Sequence, residues 1–581
     1  MRLRYLHLKN YPPIADIKVC FASGSPLARE CAIRFVVGVN GSGKSNLLRA
    51  VAEVFLALAD LRVPAFPVSL VYELGIRGKP NHRTLLLNYP GGRQQASLWI
   101  RERFFFEDQA KQDDFDAFFE QINGAGKPQD SAFSALIEPG NWPLRDSTPP
   151  QIALPSAVLA YTTGDLRPWQ SVWNRNQDAE DFLESGDDVL NDERPAGWTV
   201  EQEKAIQLSQ QATEEAGRDQ FSSIGTNTTQ FRRPILLDAT LLKCALLAVA
   251  LPQTFKVQSE TQNPLQSLLS RGGWHHLISV VLRSHLLADQ WSESLSESAH
   301  DWWLCASDVV SEPHPLEQRR TLYFDISAPF NNQGLAFVSA TRSELKNSNS
   351  HGEALLSLLG GGTGENAFDV FTRLLELKHA GLFNDILLRL RRSASPTPDD
   401  ENSADDIGVL RYEELSDGEQ MVLGRMALFH LLQGQQDALL LLDEPETHFN
   451  DKWKREIVDI IDDAIGQTPN DVLISTHSAI VLSDVFNNEI VMVQKTDKGS
   501  HVTPVNEPTF ATDPSALMIT VFGAEDSIGK RAQEYIETKL KQATGTPEEI
   551  SDLEHLISRM GSGFYRSELR TLLNIWRGNN A

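Results

Sequence analysis

The stretch Gly38-Val39-Asn40-Gly41-Ser42-Gly43-Lys44-Ser45 decides how the chain begins to fold. The apolar run from Ala32 to Val37 precedes it and favours a buried strand, whereas the segment from Asn46 to Val51 favours a helix. Glycines at such a junction let successive backbone N–H groups turn toward an anion, and the helix N-terminus adds a partial positive charge. The pattern therefore predicts a strand, a phosphate-binding loop and a helix.

The residues of this loop offer the groups that a nucleoside triphosphate needs. We expect Lys44 to reach the β- and γ-phosphates, which makes it a candidate catalytic residue, and Ser45 to offer its hydroxyl to Mg²⁺. ATP and Mg²⁺ are the predicted ligands. The residues expected to contact the nucleotide in this segment are Gly38, Asn40, Gly41, Ser42, Gly43, Lys44, Ser45 and Asn46.

A second segment ends an apolar run, Leu439 to Leu442, with the carboxylates Asp443 and Glu444. Such a run predicts a strand buried on both faces, and ligand sites of open α/β sheets lie at the carboxyl ends of strands. We expect Asp443 to hold Mg²⁺ directly or through water. Glu444 is the candidate general base that polarises the attacking water. A buried strand followed by an acidic turn would look the same if this segment stood alone.

A third segment, Leu415-Ser416-Asp417-Gly418-Glu419-Gln420, precedes a helix-like stretch. Ser416 and Glu419 stand three residues apart and also fit an N-cap box, and both interpretations can hold together. The segment resembles the LSGGQ signature of ABC ATPases, with Asp417 in place of the first glycine. In that family the loop contacts the γ-phosphate held by the opposite subunit. The resemblance implies a homodimer or higher oligomer in which Ser416, Gly418 and Glu419 complete the partner's nucleotide site.

A fourth segment, Asp471 to Ser478, is a short apolar strand that ends at His477. A lone histidine after a strand is more often structural than catalytic. This one follows Asp443 by 34 residues (477 minus 443), which is about one βαβ unit. It resembles the switch histidine of ABC ATPases, and the resemblance implies that His477 contacts the γ-phosphate. A glutamine switch loop, usual in ABC heads, has no clear counterpart in the sequence.

Composition bounds the class of protein. The chain has 581 residues, of which 41% are hydrophobic and 23% charged, as in soluble globular proteins with several subdomains. Its apolar runs are too short to cross a membrane, and Ile235 to Leu251 is predicted to be a buried helix. Met1 to Leu8 alternates like a strand and lacks a signal-peptide core, so we expect a cytoplasmic protein without a membrane partner. The four cysteines have no metal-site spacing.

The formal net charge of -25 opposes nonspecific attraction to a polyanion, although local basic patches can coexist with an acidic whole. One such patch is Arg389-Leu390-Arg391-Arg392. We expect these cations at a helix C-terminus, where the macrodipole favours them.

The spacing of the motifs predicts the architecture. Lys44 and Asp443 are 399 residues apart (443 minus 44), and prolines recur between them, so a globular insertion and not a coiled coil separates them. The predicted fold is α/β: an ABC-type P-loop NTPase head with a mixed or parallel sheet flanked by helices, interrupted by a large globular α+β insertion. The expected divisions are an N-terminal ATPase lobe (1–60), a strand-rich part (61–150), a return strand (151–165), a mostly helical insertion with linker (166–405), a C-terminal ATPase lobe (406–510) and a C-terminal helical segment (511–581).

The insertion gives weaker predictions. Leu322 to Ile326 and Leu335 to Val338 are expected to form a strand pair, and Ala367 to Arg392 shows helical spacing. Trp169 to Gln230 is loop-rich, and Ser393 to Asp406 is predicted to be a mobile acidic linker.

The combination of motifs resembles the RecF/SMC/OLD-like branch of ABC ATPases. Asp443-Glu444-Pro445-Glu446-Thr447-His448 matches the DEPExH form common among overcoming-lysogenization-defect proteins. The segments 160–164, 522–523 and 563–567 further resemble the PtuA ATPases of the Septu and retron-linked anti-phage systems. That resemblance implies a separate nuclease effector of the HNH type as partner.

Intrinsic nuclease activity is not predicted. OLD-like relatives often carry a Toprim nuclease with an Asp-x-Asp pair, and no such pair follows His477. The stretch Arg271 to His276 formally fits an Arg-x4-His ribonuclease motif. Its glycines weaken a helical presentation, and we expect His275, His276 and His285 to be ordinary helix residues.

Three functions remain open. The leading one is an ATP-hydrolysing subunit of an anti-phage system that dimerises through ATP and regulates a separate nuclease. The alternative is a RecF-like DNA-binding ATPase in repair or recombination, and the third is a self-contained nuclease. The sequence leaves DNA or RNA open as partners.

Overall fold

The protein is described by a computed structural model that covers residues 1–21, 29–91, 96–107, 110–139, 152–174, 233–255, 274–286, 293–313, 318–337, 343–360, 367–392, 409–496, 499–524, 528–542, 545–561 and 563–579. These residues form two compact units, Met1–Phe510 and Ala511–Ala581.

The strands are β1 (Arg2–Tyr11), β2 (Ile14–Cys20), β3 (Ala32–Val37), β4 (Val68–Leu74), β5 (Arg83–Tyr89), β6 (Ser97–Glu102), β7 (Phe133–Ile137), β8 (Ala157–Thr162), β9 (Ile235–Leu236), β10 (Trp274–Leu286), β11 (Asp308–Pro313), β12 (Gln318–Asp325), β13 (Asp385–Arg392), β14 (Val409–Arg411), β15 (Ala438–Asp443), β16 (Asp471–Thr476), β17 (Ile490–Thr496) and β18 (Gly499–Thr503). The helices are α1 (Lys44–Ala59), α2 (Gln112–Ala125), α3 (Ala239–Phe255), α4 (Glu293–Cys305), α5 (Ser343–Asn347), α6 (His351–Leu358), α7 (Ala367–His379), α8 (Asp417–Leu431), α9 (Asp451–Ile465), α10 (Ala479–Leu482), α11 (Pro514–Thr520), α12 (Lys530–Gln542), α13 (Pro547–Arg559) and α14 (Phe564–Asn579).

A seven-stranded sheet carries the predicted motifs, in the order β18-β17-β3-β16-β15-β8-β9. The strands from β17 to β9 run parallel, and β18 pairs antiparallel with β17. Strands β3, β15, β16 and β8 are almost wholly buried, as their mostly apolar sequences predict. The α/β class with a mixed sheet is therefore confirmed. Strand β8 returns to this sheet beside β15, from far away in sequence.

A second, antiparallel sheet has the order β2-β1-β4-β5-β6-β7. Helix α1 shares one buried apolar cluster with both sheets: it contributes Leu47 and Phe55, the second sheet contributes Leu70, and the central sheet contributes Leu441 and Leu473. The opposite face of the second sheet is covered by a phenylalanine-rich cluster that includes Phe115 and Phe119 of α2. Helix α1 is thus packed on two sides, which fixes the loop at its N-terminus.

The insertion contains a third sheet, with the order β11-β12-β10-β13-β14. Its strands all pair antiparallel. The insertion predicted to be mostly helical therefore combines helices with a five-stranded sheet.

Two local predictions in the insertion are wrong. Strand β12 confirms the segment 322–326, but it pairs with β10 and β11, while 335–337 is not a strand. Helix α7 ends at His379, and the following residues form β13 because Ile386, Leu388 and Leu390 alternate with period two and are fully buried.

The same finding corrects the basic patch and the histidines. Arg389 to Arg392 lie on β13, so a helix C-terminus does not explain their charges. His275, His276 and His285 lie on β10 and are not helix residues. The segments 175–230, 271–273 and 393–406 lie outside the described residues. The segment 235–251 is a two-residue strand followed by α3, whose residues 241–251 are buried.

The C-terminal unit is helical in its described residues, as predicted for the segment 511–581. Helices α12, α13 and α14 enclose a small apolar core of Ile536, Leu553, Ile557, Leu569 and Leu573. Across the described residues of the whole chain, none of the helices is long and apolar enough to span a membrane.

Candidate active site

The loop between β3 and α1 has the backbone that its glycines predict. Gly43 is the N-cap of α1 with a φ of 103°, a conformation that favours glycine. A Cβ atom at Gly38 would lie 2.1 Å from the carbonyl oxygen of Val493 on β17, so any larger residue would collide with the backbone there. Two glycines are thus required, one by conformation and one by close packing.

Lys44 lies inside this loop. Its side chain is buried, and its Nζ donates to the carbonyl oxygens of Gly38 (3.0 Å) and Val39 (3.3 Å). Burial lowers the pKa of Lys44, and the carboxylates of Glu444 and Asp443 oppose that shift. A partly desolvated cation at a helix N-terminus is suited to bind phosphate oxygens.

Asp443 joins four elements at the carboxyl edge of the central sheet. Its Oδ1 accepts hydrogen bonds from the hydroxyls of Ser45 (2.8 Å) and Ser475 (2.5 Å), and its Oδ2 accepts from the hydroxyl of Thr162 (3.2 Å). The Ser45 hydroxyl and the Asp443 carboxylate are adjacent hard oxygen donors, which is the ligand chemistry that Mg²⁺ prefers. The residues present therefore fit the predicted cation.

Glu444 follows directly and has a positive φ of 52°, which turns its side chain away from the strand direction. Its backbone N–H donates to the carbonyl and the hydroxyl oxygens of Ser475, both at 3.1 Å. Burial raises the pKa of Glu444, the nearby charge of Asp443 raises it further, and Lys44 lowers it. A carboxylate with a raised pKa is a stronger base, as the predicted role requires.

His477 meets Glu444 at the same edge. Its Nε2 lies 3.2 Å from Oε1 of Glu444, and both side chains remain about one-third exposed. Burial lowers the pKa of His477, with a further decrease from Lys44 and an opposing effect from Asp443. The imidazole is thus favoured in its neutral form, able to donate one hydrogen bond from Nε2.

Glu446 stabilises the backbone next to Glu444 and His477. Its carboxylate is buried and accepts a hydrogen bond from the hydroxyl of Thr476, the residue before His477. Burial raises the pKa of Glu446, while hydrogen bonds from Thr476 and from the backbone of His477 oppose the rise. The loop after β15 and the end of β16 are thereby tied together next to the candidate base.

Arg425 connects helix α8 to the same loop. Its side chain is buried and donates to the carbonyl oxygens of Pro445 and Thr447 (2.9 Å for Thr447) and to the hydroxyl of Tyr161 (3.1 Å). The guanidinium also lies over the ring of Phe449, 4.8 Å from its centroid. The helix that begins at the signature-like segment is thus fixed to the residues that follow Glu444.

The signature-like segment begins α8 as an N-cap box. Ser416 accepts a hydrogen bond from the backbone N–H of Glu419 (3.4 Å), and Glu419 accepts one from the backbone N–H of Ser416 (3.0 Å). Ser416 and Asp417 are exposed. The capping interpretation is confirmed, and the contact with a second subunit stays a prediction.

Hairpin β17–β18 covers the phosphate-binding loop from another side. The hydroxyl of Ser500 on β18 donates to the carbonyl oxygen of Ser42 at 2.6 Å, and Ser500 is buried. The same hydroxyl would lie 3.2 Å from a Cβ atom at Gly43. Ser500 therefore holds the loop in the shape that positions Lys44.

The structure brings Lys44, Ser45, Asp443, Glu444 and His477 together at one edge of the sheet. Sequence reasoning missed five further residues that support them: Thr162, Ser475, Glu446, Arg425 and Ser500. Thr162 is the last residue of buried strand β8 and Ser475 the penultimate residue of buried strand β16, and a hydroxyl at the carboxyl end of a buried strand was the signal available in the sequence. Arg425 and Ser500 had none, because their partners are distant in sequence.

Comparisons with known proteins add a family for part of the chain. Residues 311–484 match the family model described as "AAA domain, putative AbiEii toxin, Type IV TA system". The matched segment contains Ser416, Asp443, Glu444 and His477, and the phosphate-binding loop lies outside it. No curated protein matches the chain. The chain is similar to that family over this segment, which is less than half of its length.

Several solved structures are similar to the chain at low sequence identity. An SmcHead bound to the C-winged helix domain of ScpA has 12% identity and a TM-score of 0.30, with 87% of this chain and 98% of that chain covered. An Smc head domain bound to the C-terminal domain of ScpA, from Pyrococcus furiosus, has 13% identity and a TM-score of 0.28, covering 86% and 95%. The SMC head domain from Thermotoga maritima has 10% identity and a TM-score of 0.27, covering 87% and 100%. Likenesses at this level do not bear on function.

Proposed function

We propose that the chain binds and hydrolyses ATP and that two copies close face to face around two nucleotides. The observation that supports hydrolysis is the convergence of Lys44, Ser45, Asp443, Glu444 and His477 at one edge of the sheet. These groups belong to three separate segments of the sequence, and a fold without this function has no need to bring them together.

The roles of the residues follow from their chemistry. Mg²⁺, held by Ser45 and Asp443, would neutralise charge on the phosphates. Lys44 binds phosphate oxygens from within the loop. Glu444 orients the attacking water and accepts its proton, and the raised pKa of Glu444 suits that task. Neutral His477 donates from Nε2 toward the γ-phosphate.

The signature-like segment has a different role, because it is exposed. Ser416 and Asp417 stand at the N-terminus of α8, where backbone N–H groups and the helix dipole favour an anion. In a two-fold symmetric dimer, each copy can present this terminus to the nucleotide of the other. The dimer therefore forms when ATP is bound and opens after hydrolysis.

The biological role that we propose is control of a separate nuclease in an anti-phage system. The description of the matched family as a putative toxin of a toxin–antitoxin system supports a role in defence. ATP-dependent closure would hold the effector inactive or release it.

Replacement of Glu444 by Gln tests the proposal. The variant is expected to bind ATP normally and to lose hydrolysis by about 10²–10⁴-fold, because the general base is gone. Closed dimers should accumulate with ATP, as measured by sedimentation of the Glu444→Gln protein with and without nucleotide. A matched control is Glu534→Gln in the C-terminal unit, which should hydrolyse ATP as the unaltered chain does. Unchanged hydrolysis in the Glu444→Gln protein would refute the site.

A further inference from the structure

The outer face of the third sheet is distinct from the site described above. Val280, Leu282, Phe324 and Leu388 point to the other face of this sheet and are fully buried, and Trp302 of α4 packs edge-on against Phe324 there. Side chains one residue along each strand point the opposite way. Tyr323 and Val310 on that outer face are 37% and 39% exposed.

Arginines are concentrated on one side of this outer face. Arg389 on β13 lies directly opposite Arg411 on β14, and Arg391 lies two residues farther along β13. Arg283 on β10 is also exposed. The carboxylates of the face are Asp308 and Asp325 on β11 and β12, and Asp385 on β13, which lies opposite Arg283 and forms an ion pair with Lys243.

These cations are not neutralised by the described part of the chain. Within the residues that the structure describes, Arg283, Arg389 and Arg391 form no ion pair, and Arg411 has only a half-exposed Glu414 at 3.9 Å. Like charges directly opposite each other on adjacent strands are destabilising. The chain has 78 acidic and 53 basic residues, so a local excess of arginine is not a consequence of composition. An anionic ligand would remove this repulsion.

We propose that this face binds a single strand of nucleic acid, with Arg389, Arg391 and Arg411 on its phosphates and a base stacked on Tyr323. An exposed aromatic ring and arginines on the same face of a sheet are the combination that binds unpaired bases. Five strands measure about 19 Å across, four spacings of about 4.8 Å, which exceeds the groove of about 12 Å that a duplex offers. An acidic peptide would use the arginines but not the ring.

The position of this face connects a bound ligand structurally to the signature-like segment at the start of α8. Arg411 is the last residue of β14, and a 3₁₀ turn, Tyr412–Glu414, leads directly to Ser416. The hydroxyl of Tyr412 donates to the carbonyl oxygen of Gln420 in the first turns of α8 at 2.5 Å. A strand bound at β14 would therefore act on the start of α8. This last step rests on the proposed function, whereas binding itself does not.

Fluorescence anisotropy of a labelled oligothymidylate, measured without ATP over a salt series starting at about 50 mM, tests the inference. The double variant Arg389→Gln/Arg411→Gln should bind at least about tenfold more weakly, and its salt slope should fall by about 1.4 because two phosphate contacts are lost. A matched control, Arg83→Gln/Arg455→Gln, removes two exposed arginines elsewhere and should bind like the unaltered chain. Tyr323→Ala should weaken binding roughly tenfold, and Tyr323→Phe should restore it.

Three outcomes would overturn the inference. The unaltered chain could fail to bind the oligonucleotide at low salt, or both double variants could weaken binding equally, which would indicate nonspecific attraction. A labelled polyglutamate that binds at this face more tightly than oligothymidylate would point to an acidic protein segment instead. Because no ATP is present, each of these results leaves the test of Glu444 unaffected.

Discussion

At the residue scale, the site depends on carboxylates with different environments. Asp443 accepts hydrogen bonds from three hydroxyls, which fix the orientation of its oxygens at the candidate cation site. Glu444, next to it, has its charged form disfavoured by burial and by Asp443. One carboxylate is thus suited to a cation and the other to a proton, although the sequence presents them as equivalent neighbours.

The raised pKa of Glu444 has a consequence for stability. A group whose pKa is higher in the folded state stabilises the fold below its unfolded pKa, and that contribution is lost as the pH rises through the folded pKa. At neutral pH the charged, desolvated Glu444 therefore destabilises the fold. Glu444→Gln is expected to raise the melting temperature near neutrality.

This gain should shrink as the pH falls toward the range where Glu444 is protonated. Thermal unfolding without nucleotide, measured over a pH series, checks the prediction. The exposed Glu534→Gln serves as control and should leave the melting temperature unchanged at every pH. A Glu444→Gln protein that melts at or below the temperature of the unaltered chain at neutral pH would contradict the assigned burial effect.

At the element scale, two connections between distant elements shape the site. Hairpin β17–β18 holds the phosphate-binding loop through Ser500, and helix α8 holds the loop after β15 through Arg425. The first positions Lys44, and the second positions the residues next to Glu444. Neither residue reaches the edge where the reacting groups converge, so both are positioning residues.

Replacement of Arg425 by Met should affect the hydrolysis of ATP and leave the binding of ATP nearly unchanged. The carbonyl oxygens of Pro445 and Thr447 would lose their donor, which costs about 1–3 kcal/mol of folding stability and loosens the loop that carries Glu444. We expect kcat to fall while the KM for ATP changes little, because Arg425 does not contact the phosphate-binding loop.

Arg425→Lys is the matched control for this prediction. Lysine keeps the positive charge and one donating nitrogen, whereas arginine donates here from two nitrogens. The Arg425→Lys protein should therefore recover part of the stability and part of kcat. Steady-state kinetics and thermal unfolding of both variants provide the measurements. If KM rises and kcat stays constant, helix α8 acts on nucleotide binding and not on the position of the base.

Secondary structure could be predicted from the sequence where all the side chains of an element have the same environment. Strands β3, β15 and β16 are buried on both faces, so their sequences are mostly apolar, and the buried charges Arg34 and Asp471 pair with each other. Strand β13 is buried on one face only, and its arginines on the other face made the segment 367–392 look like one long amphipathic helix. The change from helical period to period two after His379 was the evidence in the sequence.

At the scale of the whole molecule, the proposed dimer predicts that two inactive variants can restore each other's activity when they are mixed. Lys44→Ala and Ser416→Arg should each abolish hydrolysis as homodimers, since each removes one half of every site. A mixture of the two proteins should recover part of the activity. One site of the mixed dimer has an intact loop from one copy and an intact signature segment from the other.

The mixture is compared with each variant alone at the same total concentration. A further mixture, in which one protein carries both substitutions and the other is Lys44→Ala, should stay inactive because it contains no intact loop. If the first mixture also stays inactive while both proteins still dimerise, the two elements do not form a shared site.

The sequence by itself determined the chemistry and the local shape of the site. A glycine loop before Lys44, carboxylates after an apolar strand and a histidine after another strand each carry their information in neighbouring residues, since backbone conformation and strand burial are local properties. Fold class and phosphate-binding loop could be predicted for that reason.

Only the tertiary structure decided which groups support these residues. Thr162 reaches Asp443 because β8 returns beside β15, Ser500 reaches the loop from more than 450 residues away, and the arginines of β13 and β14 face one another because of strand register. Such contacts depend on which strands pair and in which register. The free energy that selects this strand pairing and register comes from the burial of the whole sheet, and not from the few side chains that contact one another at the site.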